Sequence, residues 1–290
     1  MRILLTGGSS DLGHLLARDL EERGDVPLLM DIRAPQTERG EFIHGSILDR
    51  PLLRQSMDGV DCVVHIAAWH GIHEVTGQKD VYDFWDLNVT GTFYVFQTAV
   101  EAGVKKIVYI SSSSVDEWSG VYGHTKVLGE EMARAYTARH GLEIITLRPR
   151  AFIPHWNKAT YASFVEWAKW FWGGAVHIDD VNQAVLQAID LLATKTISAP
   201  LTLPVDGVYE YTPEDLANWD ADGAGSTFKK YYPEYYDLCL EHGLNPAQKP
   251  TILDSTETRQ HLGYAPQYSL QNLLEELAKF GADGPPMPAF

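Results

Sequence analysis

A short apolar run, residues 3–5, breaks into a glycine-rich turn, and this feature constrains the fold of the chain most. The run predicts a buried strand, and residues 11–20 carry apolar side chains at helical spacing, so the glycines lie on a strand-to-helix turn. Gly7 permits the tight turn, and Gly13 lets the helix approach the strand. Because amides at a helix start attract phosphate, we predict a pyrophosphate site. Ser10 replaces the usual middle glycine, and its hydroxyl is predicted to donate to a phosphate oxygen or to turn aside.

A second apolar run, residues 26–30, ends in Asp31, about twenty residues beyond the turn, as a dinucleotide fingerprint requires. A carboxylate there accepts hydrogen bonds from the adenosine ribose and repels a 2′-phosphate, which predicts NAD as the cofactor. Arg33 could cover such a phosphate, so NADP remains the less favoured alternative. The predicted cofactor contacts in this half of the chain are Gly7, Ser9, Ser10, Asp11, Leu12, Gly13, Asp31, Ile32, Arg33, Ser46, Ile47, Ile66, Ala67 and Ala68.

Further strands are predicted at residues 41–44, 61–66 and 105–110, with helices between them at about 80–102 and about 122–140. The nearly continuous apolar character of the strand at 61–66 is typical of a parallel sheet covered on both faces. We therefore predict an α/β fold, a doubly wound parallel sheet of the Rossmann type, over residues 1–150. Residues 151–290 are predicted to form a small C-terminal substrate lobe and closing helices, with 179–205 returning to the core. Within that returning part we predict a helix over 179–193, capped by its leading aspartates, and a strand over 201–205.

Charge and cysteine content narrow the kinds of partner. The net charge is −16, which disfavours nucleic acid and anionic membranes, because both select for clustered Lys and Arg. No apolar run is long enough to cross a bilayer. Cys62 and Cys239 are the only cysteines and fit a reducing compartment. The prediction is a cytoplasmic protein that acts on a small molecule.

Tyr122 and Lys126 are four residues apart and share one face of a predicted helix. They follow a strand that runs into a series of serines, residues 111–114. A lysine ammonium beside a tyrosine favours the phenolate and lowers the tyrosine pKa toward the working range, which suits proton transfer. Although such a pair is often only a surface feature, its place in a dinucleotide fold favours catalysis.

Six motifs now stand together: Thr6-Gly-Gly-Ser-Ser-Asp-Leu-Gly13, Asp31, His65-Ile-Ala-Ala68, Asn88-Val-Thr-Gly91, Ser111-Ser112 and Tyr122-Gly-His-Thr-Lys126. They resemble those of the extended short-chain dehydrogenase/reductases, and more closely those of the NAD-dependent sugar epimerase/dehydratase family. The resemblance implies that Ser112 orients the substrate oxygen, that Tyr122 is the acid/base, and that Lys126 binds the nicotinamide ribose and tunes Tyr122. Asn88, Tyr122 and Lys126 would complete the set of predicted cofactor contacts, with Asn88 in a supporting role. A homodimer through the helices at 80–102 and 120–140 is also implied.

Departures from the family pattern concern the substrate. Ser113 and Ser114 stand where the dehydratases carry Asp and Glu, which argues against elimination chemistry. The connection from Ser112 to Tyr122 is shorter than in nucleotide-sugar epimerases, with Trp118 as its only large residue. The shortened pocket resembles that of uronate-type dehydrogenases.

Several residues are candidates for substrate contact: Trp69, His70, His73, Ser113, Arg150, His155 and Asn157. Arg150 could grip a carboxylate at two points. A metal site at His65, His70 and His73 is disfavoured, because acidic ligands are not evident. The aromatic segment at 159–172 is predicted to be a buried or dimer-packed lobe helix, or alternatively a platform for a sugar.

The leading hypothesis is an NAD-dependent oxidoreductase acting on a sugar or sugar acid, with a tyrosine acid/base and hydride transfer at a secondary or anomeric hydroxyl. One alternative is a nucleotide-sugar 4-epimerase that holds its NAD tightly. The other is a non-catalytic module that senses NAD(P).

Overall fold

A seven-stranded parallel sheet forms the centre of the computed structural model, which describes residues 1–117 and 119–290. Trp118 therefore lies outside the described residues. The strands are β1 (Arg2–Thr6), β2 (Val26–Asp31), β3 (Glu41–His44), β4 (Cys62–His65), β5 (Lys106–Ile110), β6 (Glu143–Pro149) and β7 (Leu201–Val205). They lie in the order β3-β2-β1-β4-β5-β6-β7. The order reverses beside β1, which is the ligand-binding position of a doubly wound sheet. The predicted fold class is confirmed.

Helices cover both faces of this sheet. In chain order the helices are α1 (Asp11–Glu22), α2 (Arg50–Ser56), α3 (Gly71–Val75), α4 (Val81–Phe84), α5 (Thr92–Ala102), α6 (Val121–His140), α7 (Phe164–Trp172), α8 (Ile178–Thr194), α9 (Pro213–Ala217), α10 (Ser226–Tyr231), α11 (Tyr236–Glu241), α12 (Thr256–Leu262) and α13 (Leu270–Phe280). Apolar residues of α1 and α8 pack on one face, and those of α2, α5 and α6 pack on the other. Strands buried on both faces explain the continuous apolar runs in the sequence.

A third apolar core lies in the C-terminal part of the chain and contains most of its aromatic residues. Trp167 of α7 is 1% exposed, stacks on Phe164, packs at a tilt against Phe171, and donates its indole N–H to the Ile153 carbonyl at 3.0 Å. The aromatic segment therefore contributes a helix, α7, most of whose aromatic side chains are buried in this third core. The rings on this face are covered by protein, so the structure gives no support to their use as a sugar platform.

The region predicted as one helix at 80–102 contains a change of helical type. Asp80 caps α4, a π-helix follows at Trp85–Gly91, and α5 continues from Thr92. A π-helical turn accommodates one additional residue and is frequent at functional sites. Asn88 lies within this turn, and its position there could not be predicted from apolar periodicity.

The start of α8 also differs from the sequence prediction. The leading aspartates were expected to cap this helix, but His177 Nδ1 accepts the Asp179 N–H at 3.3 Å. Asp180 is buried and accepts the N–H groups of Gln267 and Tyr268 at 2.7 and 3.2 Å. Its carboxylate thus fixes the segment that leads into α13. No described helix combines the length and apolar character that a bilayer crossing demands.

Candidate active site

The glycine turn packs tightly against its neighbours. Gly7 has a φ of 73°, and a Cβ there would lie 2.8 Å from the Ala67 nitrogen. A Cβ on Gly13 would lie 2.4 Å from the Gly8 carbonyl oxygen, so the missing side chain at Gly13 lets the start of α1 pack against the turn. A Cβ on Gly8 would lie 2.7 Å from Leu29 Cα, a constraint that the sequence reasoning missed. Larger residues at these positions would displace the turn or the strand beside it.

The start of α1 offers amides to an anion. The Ser10 side chain caps this helix, because its Oγ accepts the Gly13 N–H at 3.1 Å. Helix geometry leaves the N–H groups of Asp11 and Leu12 without intrahelical partners. The Asp11 carboxylate is fixed by two residues from the C-terminal half of the chain. Its two oxygens accept the Trp156 indole N–H at 3.1 Å and the Asn157 side-chain N–H at 3.0 Å.

Asp31 lies beside this turn at the end of β2. Its carboxylate accepts the backbone N–H groups of Ser9 and Arg33 at 3.1 and 3.0 Å, and the Ser9 hydroxyl donates to the Arg33 carbonyl at 2.8 Å. Asp31 is 8% exposed, whereas the Arg33 side chain is 71% exposed and lies 3.8 Å from the carboxylate. The carboxylate is fixed in place, and the guanidinium reaches into solvent. Ile32 between them is exposed.

The other predicted cofactor contacts lie on the strand ends and loops around this turn. Ile66 is buried, and the Ala67 N–H donates to the Thr6 carbonyl at 3.0 Å, with Ala68 following. Ser46 Oγ accepts the Leu48 N–H at 3.2 Å, and Ile47 is buried against Gly91 of the π-helix.

Ser112, Tyr122 and Lys126 lie where β5 leads into α6. Ser112 is extended, and its Oγ accepts the Ser114 N–H at 3.1 Å, which starts a short 3-10 turn at Ser113. Tyr122 lies in the first turn of α6. Lys126 lies one turn later, with its Nζ 5.8 Å from the centre of the Tyr122 ring. The structure thus brings the three predicted catalytic residues together.

Lys126 is held in a buried position. It is 4% exposed, its Nζ donates to the Ile110 carbonyl at 2.8 Å, and it lies over the Tyr109 ring at 5.3 Å. Burial lowers the pKa of Lys126 to about 7, and the Glu130 carboxylate opposes this change. The amine is therefore close to its titration point at neutral pH.

Glu130 is the carboxylate behind Lys126. It accepts the Ser111 hydroxyl at 2.6 Å and two N–H groups of Arg148 at 2.8 and 2.6 Å. Two-point binding of a carboxylate by arginine fixes the orientation of both groups. Arg148 is therefore a structural residue at the end of β6 that supports the floor of the site.

Tyr122 is protonated at neutral pH in the absence of a bound cation. Burial raises the pKa of Tyr122 to about 12, and hydrogen bonding with Ser112 opposes the rise. A nearby positive charge favours the phenolate. In the predicted chemistry, two positive charges would favour the Tyr122 phenolate in this way: the Lys126 ammonium and the nicotinamide ring of bound NAD⁺.

Asn88 connects the loop after β4 to α6. Its Oδ1 accepts the Trp69 N–H at 2.8 Å, and its Nδ2 donates to the Trp69 carbonyl at 3.0 Å and to Thr125 Oγ1 at 3.1 Å. The Thr125 hydroxyl in turn donates to the Tyr122 carbonyl at 2.7 Å. Asn88 thus acts as a brace between the loop and the helix that carries Tyr122.

Three of the predicted substrate contacts lie on one side of Tyr122. The His70 ring lies 6.5 Å from the Tyr122 ring, and His73 Nδ1 accepts the His70 N–H at 3.0 Å. The Trp69 ring lies 5.2 Å from that of His73. Burial lowers the pKa of His70 to about 3, so its imidazole is neutral at physiological pH. His65 is buried between Thr6 and Thr92 at 2.7 and 2.9 Å.

Three other candidates have their partners elsewhere. Arg150 donates to the Gly174 carbonyl at 2.9 Å, pairs with Asp206 at 3.5 Å and contacts Thr251, so its donors already serve the lobe. His155 is buried, with its Nε2 3.0 Å from the Pro285 carbonyl. Asn157 binds Asp11. These three side chains therefore bond to other parts of the protein and do not face Tyr122. The N–H groups with which Arg150 would bind a substrate carboxylate at two points are already bonded to protein acceptors.

Glu74 of α3 is a residue of this site that the sequence reasoning missed. Its carboxylate binds the first amides of α6, beside Tyr122. The only signal in the sequence is indirect: Gly120, which precedes the helix, has no side chain to act as a cap.

The sequence is similar to those of several known proteins. The family model described as NAD dependent epimerase/dehydratase family matches residues 3–160. An uncharacterized protein, y4nG, of Sinorhizobium fredii is 27% identical over 94% of this chain and 76% of its own length. The uronate dehydrogenase of Pseudomonas putida is 28% identical over 53% of this chain, and the match spans 62% of the dehydrogenase.

A solved structure shows that the fold is shared along nearly the whole chain. The UDP-glucuronic acid 4-epimerase of Bacillus cereus, in complex with UDP-glucuronic acid and NAD, superposes with a TM-score of 0.70 at 20% identity. The superposition covers 95% of this chain and 97% of the epimerase. With the family match over more than half of the sequence, the chain belongs to the NAD dependent epimerase/dehydratase family, an enzyme family of the extended short-chain dehydrogenase/reductase type.

Proposed function

We propose that this protein is an NAD-dependent dehydrogenase that oxidises a hydroxyl of a sugar or sugar acid. The observation that carries the proposal is the grouping of Ser112, Tyr122 and Lys126 at the strand ends beside the glycine turn. The short connection between Ser112 and Tyr122 and the similarity to a uronate dehydrogenase both favour a compact substrate over a nucleotide sugar.

The residues around the turn fit the parts of NAD. Glycines keep Cβ atoms out of the turn, the Asp11 and Leu12 amides would hold the pyrophosphate, and Asp31 would accept the adenosine ribose hydroxyls. Ser46 and Ile47 would flank the adenine, and Asn88 would support the nicotinamide side. Lys126 would donate to the nicotinamide ribose. When bound, NAD supplies the acceptor for the hydride.

The chain's own residues would handle the proton and the orientation. The Tyr122 phenolate takes the proton of the substrate hydroxyl, Ser112 holds that oxygen by a hydrogen bond, and the Lys126 ammonium stabilises the phenolate. The neutral imidazole of His70, with Trp69, His73 and Ser113, would contact the rest of the sugar. As the carbon–hydrogen bond breaks, the carbon that bore the hydroxyl becomes a carbonyl.

A screen of NAD reduction tests this proposal. Free sugars, uronates and nucleotide sugars are offered with NAD, and NADH formation is followed by absorbance. Stoichiometric NADH with a free sugar or uronate is expected. Conversion of a nucleotide sugar without NADH release would identify a 4-epimerase instead, and NAD binding without conversion of any sugar would identify a sensing module.

Replacing Asp31 with serine is expected to change the cofactor preference. The substitution removes charge-assisted hydrogen bonds to the ribose, so KM for NAD should rise about 10–100-fold. Use of NADP should improve, because Arg33 remains beside the position of the 2′-phosphate. Asp61→Ser is the matched control, since Asp61 accepts the Arg2 N–H at 2.8 Å at the opposite end of the sheet. An unchanged ratio of NAD to NADP use in Asp31→Ser would contradict the assignment.

A homodimer through the surface of the π-helix, α5 and α6 is expected. Tyr82 of α4 and Trp85 of the π-helix are 76% and 50% exposed, and Phe93 of α5 is 42% exposed and lies beside Tyr136 of α6. Exposed aromatic groups of this kind mark protein interfaces. The mass in solution should be twice the 32.4 kDa of one chain, and Trp85→Glu should halve it. A monomeric wild-type protein at micromolar concentration would contradict the dimer.

A cytoplasmic location is also proposed, because Cys62 and Cys239 are free buried thiols.

A further inference from the structure

The helix that carries Tyr122 and Lys126 is capped by a residue from another helix. Gly120 precedes α6 and has no side chain, so the first amides of α6 have no local partner. Glu74 Oε1 accepts the Val121 N–H at 2.7 Å, and Glu74 Oε2 accepts the Tyr122 N–H at 2.9 Å. One carboxylate therefore holds two adjacent amides, and one of these belongs to the proposed acid/base.

The helix α3 that carries Glu74 also packs against the Tyr122 side chain. A Cβ on Gly71 would lie 3.3 Å from Tyr122 Cδ1, so the glycine backbone rests beside the ring. His70 is the N-cap of this helix, His73 lies within it, and both lie on the predicted substrate side. Tyr122 is thus bounded by α3 at both its backbone and its ring.

We propose that Glu74 is a positioning residue that fixes Tyr122 through the two amides and couples its placement to the substrate-side helix α3. The proposal rests on the proposed dehydrogenase function. Ser112 must hold the substrate oxygen within hydrogen-bond reach of the phenolate, and proton transfer is sensitive to displacements of about 1 Å. A carboxylate that spans two amides restrains both the start of α6 and the rotation of its first turn.

A graded set of substitutions follows from this geometry. Glu74→Gln keeps one acceptor oxygen and places an NH2 group, which cannot accept, beside the second amide, whereas Glu74→Ala offers no acceptor to either amide. We expect kcat to fall roughly 10-fold in Glu74→Gln and roughly 100-fold in Glu74→Ala, with KM for NAD changed less than about threefold. The partial activity of Glu74→Gln relative to Glu74→Ala is the rescue expected of a hydrogen-bonding role.

Asp80→Ala is the matched control. Asp80 also presents one carboxylate oxygen to two amides, those of Tyr82 and Asp83 at 2.9 Å each, at the start of the neighbouring α4. Its removal likewise deprives two adjacent amides of their carboxylate, at a helix start that contains neither Val121 nor Tyr122. We expect kcat to stay within about twofold of the wild type, because capping losses alone are modest.

Two further readouts separate positioning from a general loss of structure. In a Tyr122→Phe background, Glu74→Ala should lower the residual rate no further, because residues that act through one group are non-additive. Hydrogen exchange at the Val121 and Tyr122 amides should be roughly 5–10-fold faster in Glu74→Ala and unchanged in Asp80→Ala.

Unchanged exchange at these two amides, or a full second loss of rate in the Tyr122→Phe background, would overturn the proposal. A wild-type protein that oxidised no sugar would contradict the proposed function, and the exchange experiment would still decide whether Glu74 holds Tyr122.

Discussion

Tyr122→Phe is expected to lower kcat for sugar oxidation by about 10²–10⁴-fold, the usual contribution of general acid–base catalysis. The substitution removes the only atom that would accept the substrate proton and keeps the ring that packs on Gly71. Affinity for NAD should remain within about threefold, because the amides of α1 and the Asp31 carboxylate are untouched. Steady-state NADH formation and NAD titration by tryptophan fluorescence measure the two quantities.

Tyr82→Phe is the matched control for this substitution. Tyr82 is largely exposed on the proposed dimer surface, and Tyr82→Phe keeps the ring while removing a hydroxyl that is outside the proposed active site. It should retain the wild-type rate. NADH formation that persists undiminished in Tyr122→Phe would show that another group takes the proton.

Lys126→Met is expected to raise stability and to lower activity at the same time. Burial lowers the pKa of Lys126 to about 7, which means that the folded protein disfavours the ammonium that the unfolded chain carries at neutral pH. A methionine fills the space without this cost. The free energy of unfolding of the protein without added NAD should rise by about 2–4 kcal/mol at pH 7, while kcat falls by roughly 10²-fold or more.

The pH dependence gives this prediction its sign. The pKa of Lys126 is lower in the folded protein, so the unfolded chain binds the extra proton between about pH 7 and its ordinary pKa of 10.5. Wild-type stability gains from Lys126 as the pH rises through this window, and the gain is lost as the pH falls to 7. The advantage of Lys126→Met should therefore be largest at pH 7 and vanish near pH 10.5. Lys105→Met, at an exposed lysine, is the control, and an equal gain there would contradict the burial argument.

The fold was predictable because its signals are local in the sequence. Buried parallel strands appear as apolar runs, and the two halves of the dinucleotide fingerprint are separated by one helix and one strand. The strands β3 and β7 have the bounds that their sequence pattern predicts. The pairing of Tyr122 with Lys126 was equally accessible, since helical spacing places both on one face.

The substrate side was less predictable because it depends on contacts between distant segments. Arg150 meets Asp206 and Thr251, which lie 56 and 101 residues further along the chain. Asn157 meets Asp11, 146 residues away. The Glu74 carboxylate accepts backbone N–H groups of α6. Every residue except proline has such a group, so the sequence of α6 does not reveal this partner. Neither periodicity nor motif spacing contains such information, so the identity of these partners required the structure.

The bond of Asp11 to Trp156 and Asn157 links the glycine turn to the lobe, and this link limits how the protein can change by mutation. Loss of either donor leaves a carboxylate less well satisfied at the helix end that faces the predicted pyrophosphate. Loss of Asp11 leaves two partly buried donors without their acceptor. A substitution of Asp11, Trp156 or Asn157 in the wild-type protein should therefore lower stability more than the same substitution made after its partner has already changed, because the effects of contacting residues are not additive. A lineage that altered the lobe to accept another sugar would have to alter the cofactor turn with it, and the order of the mutations would decide which intermediates survive.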